Sequence, residues 1–594
     1  MVPVFQNPSI TGAERLAAWS DVLDSINVFP VADGDTGRNL RISLTPLRCP
    51  SKDRENTIHK LLLSARGNSG NIAVRFLSEF LMADSIEMLP SAAKSGRDQA
   101  WQAVHDPKPG TMLTVFDALV DFLVANKFEI NREYASNIIA HLEKAVKSTP
   151  EFLPKLKQAG VVDSGALGMY LFLEGFFGSL VGETEHFQPI TTVFRDVLKV
   201  SPSFEEEMEE GFCVDTVVQL VENTDEKIWG LSEHCESVMV TAHKDYRKVH
   251  LHTHDTTRVK DLIESLGTVV QWSDDHIGTQ VKGFKRRDNR GAIHVMTDAA
   301  GSVTREDSCE LGITLLNSYV TAGDKSMPEA LFPPSEVYKS MREGKRVTTS
   351  QASVFERHQC YQRVLSQYPK VLYLCVGSAF TGNYDVVMDW KRKNDHGDCL
   401  TVIDTTAASG RLGAIAIATA RYSAKTDNPE AVIEFAKRAI HACDEYIFLD
   451  KLKYLAAGGR APKSSAFLGD TFHLKPIISP TAHGAKIVGM ERSKTGQLRF
   501  ALKRLRDFFE KDSALFVMLE YSDNRAWVCD TVKKQIQELS PSSEVLLQPL
   551  SLTAGVHMGP GTWAVAFLRE KAIMPRPEER VPTLTGGPSP KGRG

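Results

Sequence analysis

The chain has no Gly-x-x-x-x-Gly-Lys-[Ser/Thr] segment, which excludes a P-loop as its means of holding a nucleotide. It also lacks a protein-kinase glycine-rich loop followed by His-Arg-Asp. No uninterrupted apolar run approaches bilayer length, so no membrane span is expected. Residues 1–14 lack the basic start and apolar centre of a secretory signal. Nine cysteines are dispersed, at 49, 213, 235, 309, 360, 375, 399, 443 and 529, without a Cys-x-x-Cys pair. An odd, scattered set argues for reduced thiols and a cytoplasmic location rather than a disulfide framework. A formal net charge of −4 gives no support for a nucleic-acid partner. Apolar content of 42% and charged content of 24% are ordinary for globular protein. At 594 residues the chain exceeds a single core, and about two to four domains are expected.

What is present starts with Asn27-Val-Phe-Pro-Val-Ala-Asp33-Gly34-Asp35-Thr36-Gly37-Arg-Asn39. Two carboxylates one glycine apart can aim at one point, because Gly34 lets the backbone turn without a Cβ clash. Mg²⁺ suits such a pair when phosphates supply its other oxygen ligands. An isolated Asp-Gly-Asp is usually a solvated turn, and the longer string is what departs from that reading. Ser64-Ala-Arg-Gly67-Asn68-Ser69-Gly70-Asn follows. Gly67 to Gly70 would present backbone N–H groups to phosphate at a helix start, with Asn68 and Ser69 adding side-chain donors. The alternative is a plain helix–helix turn. Thr111 and Asp163 have alternatives as helix caps. His250 and His252 alternate on a strand, so both face one side, and Cys213 precedes them. Two imidazoles and a thiolate suit Zn²⁺. His243 and His254 are alternative ligands, and a polar strand face is the bland reading.

Apolar spacing of three and four predicts helices over 13–26, 58–63, 72–82, 112–124 and 138–146. Residues 181–205 have no sustained period and read as a connector. Strand patterns at 237–242 and 248–253, with a helix over 257–266, predict a small α/β module. From 291 to about 570, short apolar strands (371–376, 400–403, 515–519) alternate with helices such as 430–443, which argues for α/β layers. The tail 572–594 is rich in Pro, Gly and charge and is expected to be disordered.

The segment from Asn27 to Asn39 resembles the magnesium-binding signature of the dihydroxyacetone kinase ATP-binding domain, the DhaL type. It is most similar to the version in the kinase subunit of bacterial fatty acid kinase. The phosphate-loop-like segment at Gly67, then Pro109-Gly110-Thr111-Met112-Leu-Thr-Val, then Gly160-Val-Val-Asp163-Ser164-Gly165-Ala166 resemble further motifs of that family, in its order. The second half carries Thr297-Asp298-Ala-Ala-Gly-Ser302, Thr348-Thr349-Ser350-Gln351-Ala352-Ser353 and Gly377-Ser378-Ala-Phe-Thr381-Gly382-Asn-Tyr384. Leu452-Lys-Tyr-Leu-Ala-Ala-Gly458-Gly459-Arg460 and Gly555-Val-His557-Met-Gly559-Pro560-Gly561 complete this set. In that order they resemble the DegV family of fatty-acid-binding proteins. Asn27 stands where dihydroxyacetone kinases have an Asp. Gly377 replaces the DegV family's common first Ser, and Asn383 its common Thr.

The resemblance implies a multidomain fold: an all-α DhaL-like helical barrel (1–184), a linker (185–205), a small α/β middle domain (206–288), and a two-lobed α/β DegV-like domain (289–571). It implies an ATP- and Mg²⁺-dependent phosphotransferase in a single chain. The γ-phosphate of ATP would pass to a bound fatty acid carboxylate, giving acyl phosphate and ADP. Asn27, Asp33 and Asp35 would hold Mg²⁺. Asn39, Gly67, Asn68, Ser69, Gly70, Thr111, Met112, Asp163 and Gly165 would bind the nucleotide. Thr349, Ser350 and Ser378 would donate to the carboxylate, and Arg460 and His557 would neutralise developing charge. Cys213, His250 and His252 match a middle-domain Zn²⁺ arrangement. A homodimer, an acyl-phosphate-using acyltransferase of phospholipid metabolism and transient membrane contact are candidate associations. The rival readings are a glycerone-like small-molecule kinase and a non-catalytic lipid-binding or regulatory protein.

Overall fold

The computed structural model describes residues 3–127, 129, 131–185, 187–205, 211–220, 228–243, 246–277, 291–457, 474–509 and 515–569. The expected tail 572–594 and Arg460 lie outside them. The chain divides into two compact units.

The first unit holds 1–288 with 305–371 and 385–401. Its amino-terminal part is helical: α1 (Pro3–Ser25), α2 (Thr36–Leu44), α3 (Arg54–Ser64), α4 (Gly67–Phe80), α5 (Leu89–Gln102), α6 (Met112–Ala125), α7 (Arg132–Phe152), α8 (Pro154–Ala159) and α9 (Ser164–Leu180). Helix α9 is buried on nearly every face and runs beside α1 in the centre of the domain core. Trp19, Phe80 and Phe176 belong to that core, where Phe76 and Phe116 stack with ring centroids 4.0 Å apart. The expected linker at 185–205 is in fact part of this core. Ile190 and Phe194 are buried in it, and the Ser201 N–H donates to the Ala159 carbonyl at 2.8 Å. Sparse apolar residues in that stretch hid the packing, because each is buried singly rather than in a repeating stripe.

The same unit continues through β1 (Phe212–Leu220), β2 (Glu236–His243), β3 (Tyr246–Thr253) and β4 (Gly267–His276), which form an antiparallel sheet in the order β2-β3-β1-β4. The helix Thr256–Leu266 covers one face through Val259 and Ile263. Beyond β5 (His294–Asp298) and β6 (Thr314–Leu316), strands β7 (Tyr319–Ala322), β8 (Lys325–Pro328) and β9 (Val347–Ser350) make a three-stranded sheet ordered β8-β7-β9. The helix Val354–Gln367 packs against α1. Segments 305–371 and 385–401 of the expected 289–571 domain thus belong to the amino-terminal unit.

The second unit holds 289–304, 372–384 and 402–594. Strands β10 (Val371–Cys375) and β11 (Leu400–Asp404) lead into it. Next come β12 (Cys443–Phe448), β13 (Lys475–Thr481), β14 (Gly484–Glu491), β15 (Leu515–Tyr521), β16 (Glu544–Pro549) and β17 (Trp563–Arg569). These last six form one sheet, β14-β13-β12-β17-β15-β16, with only β15 and β16 parallel. Phe448 and Trp563 stack at 3.9 Å in its core. From β5 onward the described residues alternate strands and helices, as the apolar strands of the sequence predict, whereas residues 3–180 are helical.

Candidate functional site

The carboxylate loop lies between α1 and α2. Asp33 and Asp35 are buried, at 8% and 7% exposure. The Asn27 amide donates to Asp33 Oδ1 at 2.6 Å, and its oxygen accepts the Ser164 hydroxyl at 3.2 Å. Asn27 thus orients Asp33 from the start of α9. Burial, then the neighbouring Asp35 charge, push the Asp33 carboxyl well above its ordinary range. Arg38 reaches Asp35 at 3.5 Å. A pair of buried carboxylates destabilised by each other is the donor set a hard divalent cation relieves.

One solvent-open cleft is lined by Asn27, Asp33, Asp35, Asn39, Gly67, Asn68, Ser69, Cys213, His250 and His252, among others. The carboxylate loop, the glycine-containing loop and the Cys/His cluster thus converge. Gly67 has φ +60°, and a Cβ there would meet the Asn39 amide nitrogen at 2.2 Å, so both conformation and space require glycine. The expectation that Gly67 to Gly70 leave their N–H groups open needs correcting. The Gly67 N–H donates to Asp215 Oδ2 at 3.1 Å, and the Gly70 N–H closes a helical bond to the Arg66 carbonyl at 3.1 Å.

Ligand atoms of Cys213, His250 and His252 all lie within 4.8 Å of one another. Burial, then His250, pull the His252 imidazole down to about 4, which keeps it neutral and able to ligate a metal. His250 Nε2 is buried without a hydrogen-bond partner. A thiol and two imidazoles, one of them with an orphaned ring nitrogen, fit the chemistry of Zn²⁺. His254 is exposed and outside the cluster, and the side chain of His243 lies outside the described residues.

Thr111, Met112, Asp163, Gly165 and Gly70 do not line the cleft. Thr111 caps α6, its hydroxyl accepting the Leu113 N–H at 3.4 Å, and Met112 is core. A Cβ on Gly165 would meet the Met112 methyl at 2.7 Å, so these motif residues meet each other. Asp163 caps α9, accepting the Ala166 N–H at 2.7 Å. Burial pushes its carboxyl up from 3.8 to about 7 against the pull of the Ala166 and Gly165 N–H groups. With the folded value above the unfolded one, the fold retains a proton that the unfolded chain loses over roughly pH 4 to 7. The group's contribution is full below that window and falls as pH rises through it. Asp163→Asn, which keeps the cap oxygen, is expected to flatten the fall of unfolding midpoint across this window and to raise it at pH 7. Thermal unfolding over a pH series reads this.

On the DegV-like side, Thr349 and Ser350 end β9 in the first unit, while Ser378 and His557 belong to the second. Ser378 is exposed, and its N–H donates to Asp404 at 3.1 Å. His557 lies half-buried on the helix Leu552–Met558, just before Gly559. Gly559 has φ +89° and would place a Cβ 2.1 Å from the Tyr454 ring. The two departures from the DegV pattern have structural causes. A Cβ at Gly377 would meet the Thr406 carbonyl carbon at 2.8 Å, and the Asn383 amide donates to Asp298 Oδ1 at 2.8 Å.

Sequence reasoning missed Asp215, Lys248 and Asp24. Asp215 sits beside Lys248 at 3.6 Å and His250 at 3.3 Å. Burial alone would raise its carboxyl, but Lys248, His250 and the Gly67 N–H together hold it well below the usual range. The Lys248 and His250 alternation on β3 was a usable signal. Asp24 accepts the Arg38 N–H at 3.0 Å and pairs with Arg305 at 3.2 Å, and burial pushes it up to about 6.

Residues 30–178 match the DAK2 domain model, and 292–570 match the model of the DegV family of uncharacterised proteins. An uncharacterised protein of Staphylococcus saprophyticus is 26% identical over 403 residues, covering 61% of this chain and 69% of its own length. Protein YloV of Bacillus subtilis is 31% identical over 298 residues, covering 45% of this chain and 54% of its own. Among solved structures, a DegV family protein from Thermus thermophilus, described as binding fatty acid, aligns at 23% identity with a TM-score of 0.43. That alignment covers 47% of this chain and 99% of the other. DegV of Bacillus subtilis, described as a fatty acid binding protein, aligns at 18% with the same score and coverage. The chain carries a DAK2 domain in its amino-terminal part and a DegV-family domain in its carboxy-terminal part.

Proposed function

We propose that the chain is a single-chain fatty acid kinase that transfers the ATP γ-phosphate to a fatty acid carboxylate, giving acyl phosphate and ADP. The observation that carries this reading is the convergence of Asp33 and Asp35, Gly67 to Ser69, and Cys213, His250 and His252 on one cleft. Nucleotide phosphates need a divalent cation and polar donors, and this cleft sets the carboxylates that would hold the cation beside Asn68 and Ser69. The DhaL-type barrel with the nucleotide at one end belongs to this proposal.

Asp33 and Asp35 hold Mg²⁺, with Asn27 fixing the Asp33 carboxylate. Bound Mg²⁺ supplies charge neutralisation at the phosphates. Asn39, Asn68 and Ser69 face the same cleft as further polar groups. Cys213, His250 and His252 are the residues that would hold Zn²⁺. Thr349, Ser350 and Ser378 carry the carboxylate-binding role by resemblance to DegV motifs, and Arg460 and His557 would neutralise the charge that develops on the acyl phosphate. A carboxylate is already ionised at neutral pH, so attack needs positioning rather than a strong base. Tethering both functions in one chain replaces a bimolecular encounter with an intramolecular one. Thr111, Met112, Asp163 and Gly165 keep a nucleotide-binding role by resemblance to the DhaL-type motifs. A homodimer, an acyl-phosphate-using acyltransferase and a cytoplasmic location complete the proposal. No helix among the described residues is long and apolar enough to cross a membrane.

The test combines mass spectrometry of the extractable ligand with ATP turnover in Mg²⁺ and added fatty acid, trapping product with hydroxylamine. A bound fatty acid and an acyl hydroxamate are expected. Turnover of glycerone without hydroxamate would replace the reading with the small-molecule kinase. Bound fatty acid without turnover would leave a lipid-binding protein.

A further inference from the structure

Within the first unit, a second pocket lies where the helix Val354–Gln367 packs against α1. Its wall carries three guanidiniums, Arg41 from α2 with Arg357 and Arg363 from that helix, against two carboxylates, Asp21 and Glu356. The acidic side is weaker than the count suggests. Glu356 is shared, since it meets both Arg41 at 3.1 Å and Arg48 at 3.2 Å. Asp21, the partner of Arg363, has 40% side-chain exposure, so water screens it and the pocket reaches solvent beside it. Arg357 and Arg363 are only 2% and 4% exposed, and the Arg41 side chain 10%. The wall thus holds surplus positive charge away from bulk water, a costly state unless an anion joins it.

Hydrogen bonding falls short at the same place. The Nε–H groups of Arg41 and Arg363 are buried without a hydrogen-bond partner, and both side chains line the pocket. Arg41 uses Nη2 for the Tyr319 hydroxyl and Glu356, and Arg363 uses Nη1 for Asp21, so neither bond occupies Nε. A guanidinium has donors only, and an acceptor must come to it. Two polar neighbours in the wall do not supply one. Burial pushes the Cys360 thiol up to about 11, which leaves it uncharged, and the Asn317 amide oxygen already accepts the Ala330 N–H at 3.0 Å. The space admits an occupant about the size of one water molecule. Size therefore favours a single-atom anion over phosphate or a carboxylate, and charge favours an anion over water.

We propose that this pocket is a halide site, in which one chloride sits among the guanidiniums of Arg41, Arg357 and Arg363 and takes up the Arg41 and Arg363 Nε–H donors. The ion balances charge contributed by α2 and by the helix Val354–Gln367. It thereby fastens the segment 305–371 to the helical domain. The site is independent of the nucleotide cleft and of the proposed reaction.

Thermal unfolding of the full chain in sodium chloride and in sodium gluconate at equal ionic strength tests this, because gluconate is too large to enter. With chloride at about ten times its dissociation constant, the midpoint is expected to lie about 3 °C higher than in gluconate. Arg363→Gln, which keeps N–H donors but removes one charge, is expected to lose most of that difference. Arg357→Met serves if Arg363→Gln does not fold, as judged by circular dichroism. Crystals of the parent chain grown in bromide locate the ion directly, with an anomalous peak expected between Arg41 and Arg363. Equal midpoints in the two salts overturn the proposal, as does a folded variant that keeps the parental difference. A water in place of the bromide peak overturns it as well, and phosphate protecting as strongly as chloride would overturn the halide assignment.

Discussion

Replacing Asp33 and Asp35 together by Asn is expected to abolish phosphoryl transfer, by about a thousandfold or more, while fatty acid stays bound. Both carboxylates are buried in the cleft, and the pair is held in an arrangement that is unfavourable by itself. Burial, then the Asp35 charge, raise the Asp33 carboxyl. The loop keeps this geometry because the Asn27 amide and the Ser164 hydroxyl tie it to α9. With a divalent cation, the same repulsion becomes two ligands meeting one charge. The effect on stability should consequently change sign with metal. In chelator, the Asn variant is expected to be at least as stable as the parent, because it has lost a repulsion. With Mg·ADP at about a hundred times its dissociation constant, the parent gains about 2.7 kcal/mol and the variant almost none. Thermal melts in chelator and in Mg·ADP, beside the hydroxamate rate and the co-purified lipid, read all three consequences. Full turnover in the variant would remove Asp33 and Asp35 from the mechanism. Lipid lost from a folded variant would show that the acyl site depends on them.

The carboxylate loop was legible because its chemistry is local: Asp33, Gly34 and Asp35 are consecutive, and turn geometry alone brings them together. The His250 and His252 pair was legible for a similar reason, since strand periodicity fixes two residues on one face. Cys213 needed only the antiparallel return of β1. Asp215 was not legible. Its role depends on register opposite His250 and on the middle sheet docking at the start of α4, and no local pattern encodes either. Helix α9 escaped periodicity because a helix buried on all sides shows no apolar stripe. The helix α2 was hidden by Gly37, which elsewhere signals a turn, but here stands where a Cβ would strike the Ser20 carbonyl of α1 at 2.0 Å. Gly377 was legible as a departure from the DegV pattern, though its cause, the approach of Thr406, was not. The division of the DegV-like region between two compact units also escaped the sequence. It arises from side chains separated by hundreds of positions.

Glu356 is the clearest of these, and Glu356→Ala is expected to destabilise the first unit by about 3–5 kcal/mol. Its side chain is 1% exposed. Oε1 accepts from Arg41 at 3.1 Å and from the Tyr319 hydroxyl at 2.8 Å, and Oε2 meets Arg48 at 3.2 Å. The Arg48 guanidinium also lies 3.3 Å from the centroid of the Tyr319 ring. Arg41 and Arg48 come from the helical domain, whereas Tyr319 and Glu356 come from the segment 305–371. Removing the carboxylate leaves two guanidiniums, each with 10% side-chain exposure, without their shared anion, Arg48 keeping only Glu14 at 3.6 Å and Arg41 keeping no carboxylate partner among the described residues. That uncompensated charge, rather than the lost packing of one side chain, dominates the cost. Two comparisons separate the causes. Glu356→Gln keeps the volume and an acceptor but not the charge, so a cost close to that of Ala identifies electrostatics as the source. In the double variant with Arg41→Met, part of the burden is relieved, and a coupling of about 0.5–3 kcal/mol is expected from denaturant unfolding. The helix Val354–Gln367 carries Glu356 and is the element that should loosen first, seen as faster hydrogen exchange there than in α9. Equal exchange in both would mean that the network stabilises the whole unit rather than the docking of this segment. Because β9, with Thr349 and Ser350, precedes that helix by only a short turn, loosening it should also weaken fatty acid retention while leaving Mg·ADP binding intact. Loss of nucleotide affinity with retained lipid would reverse the assignment of which function this ion-pair network supports.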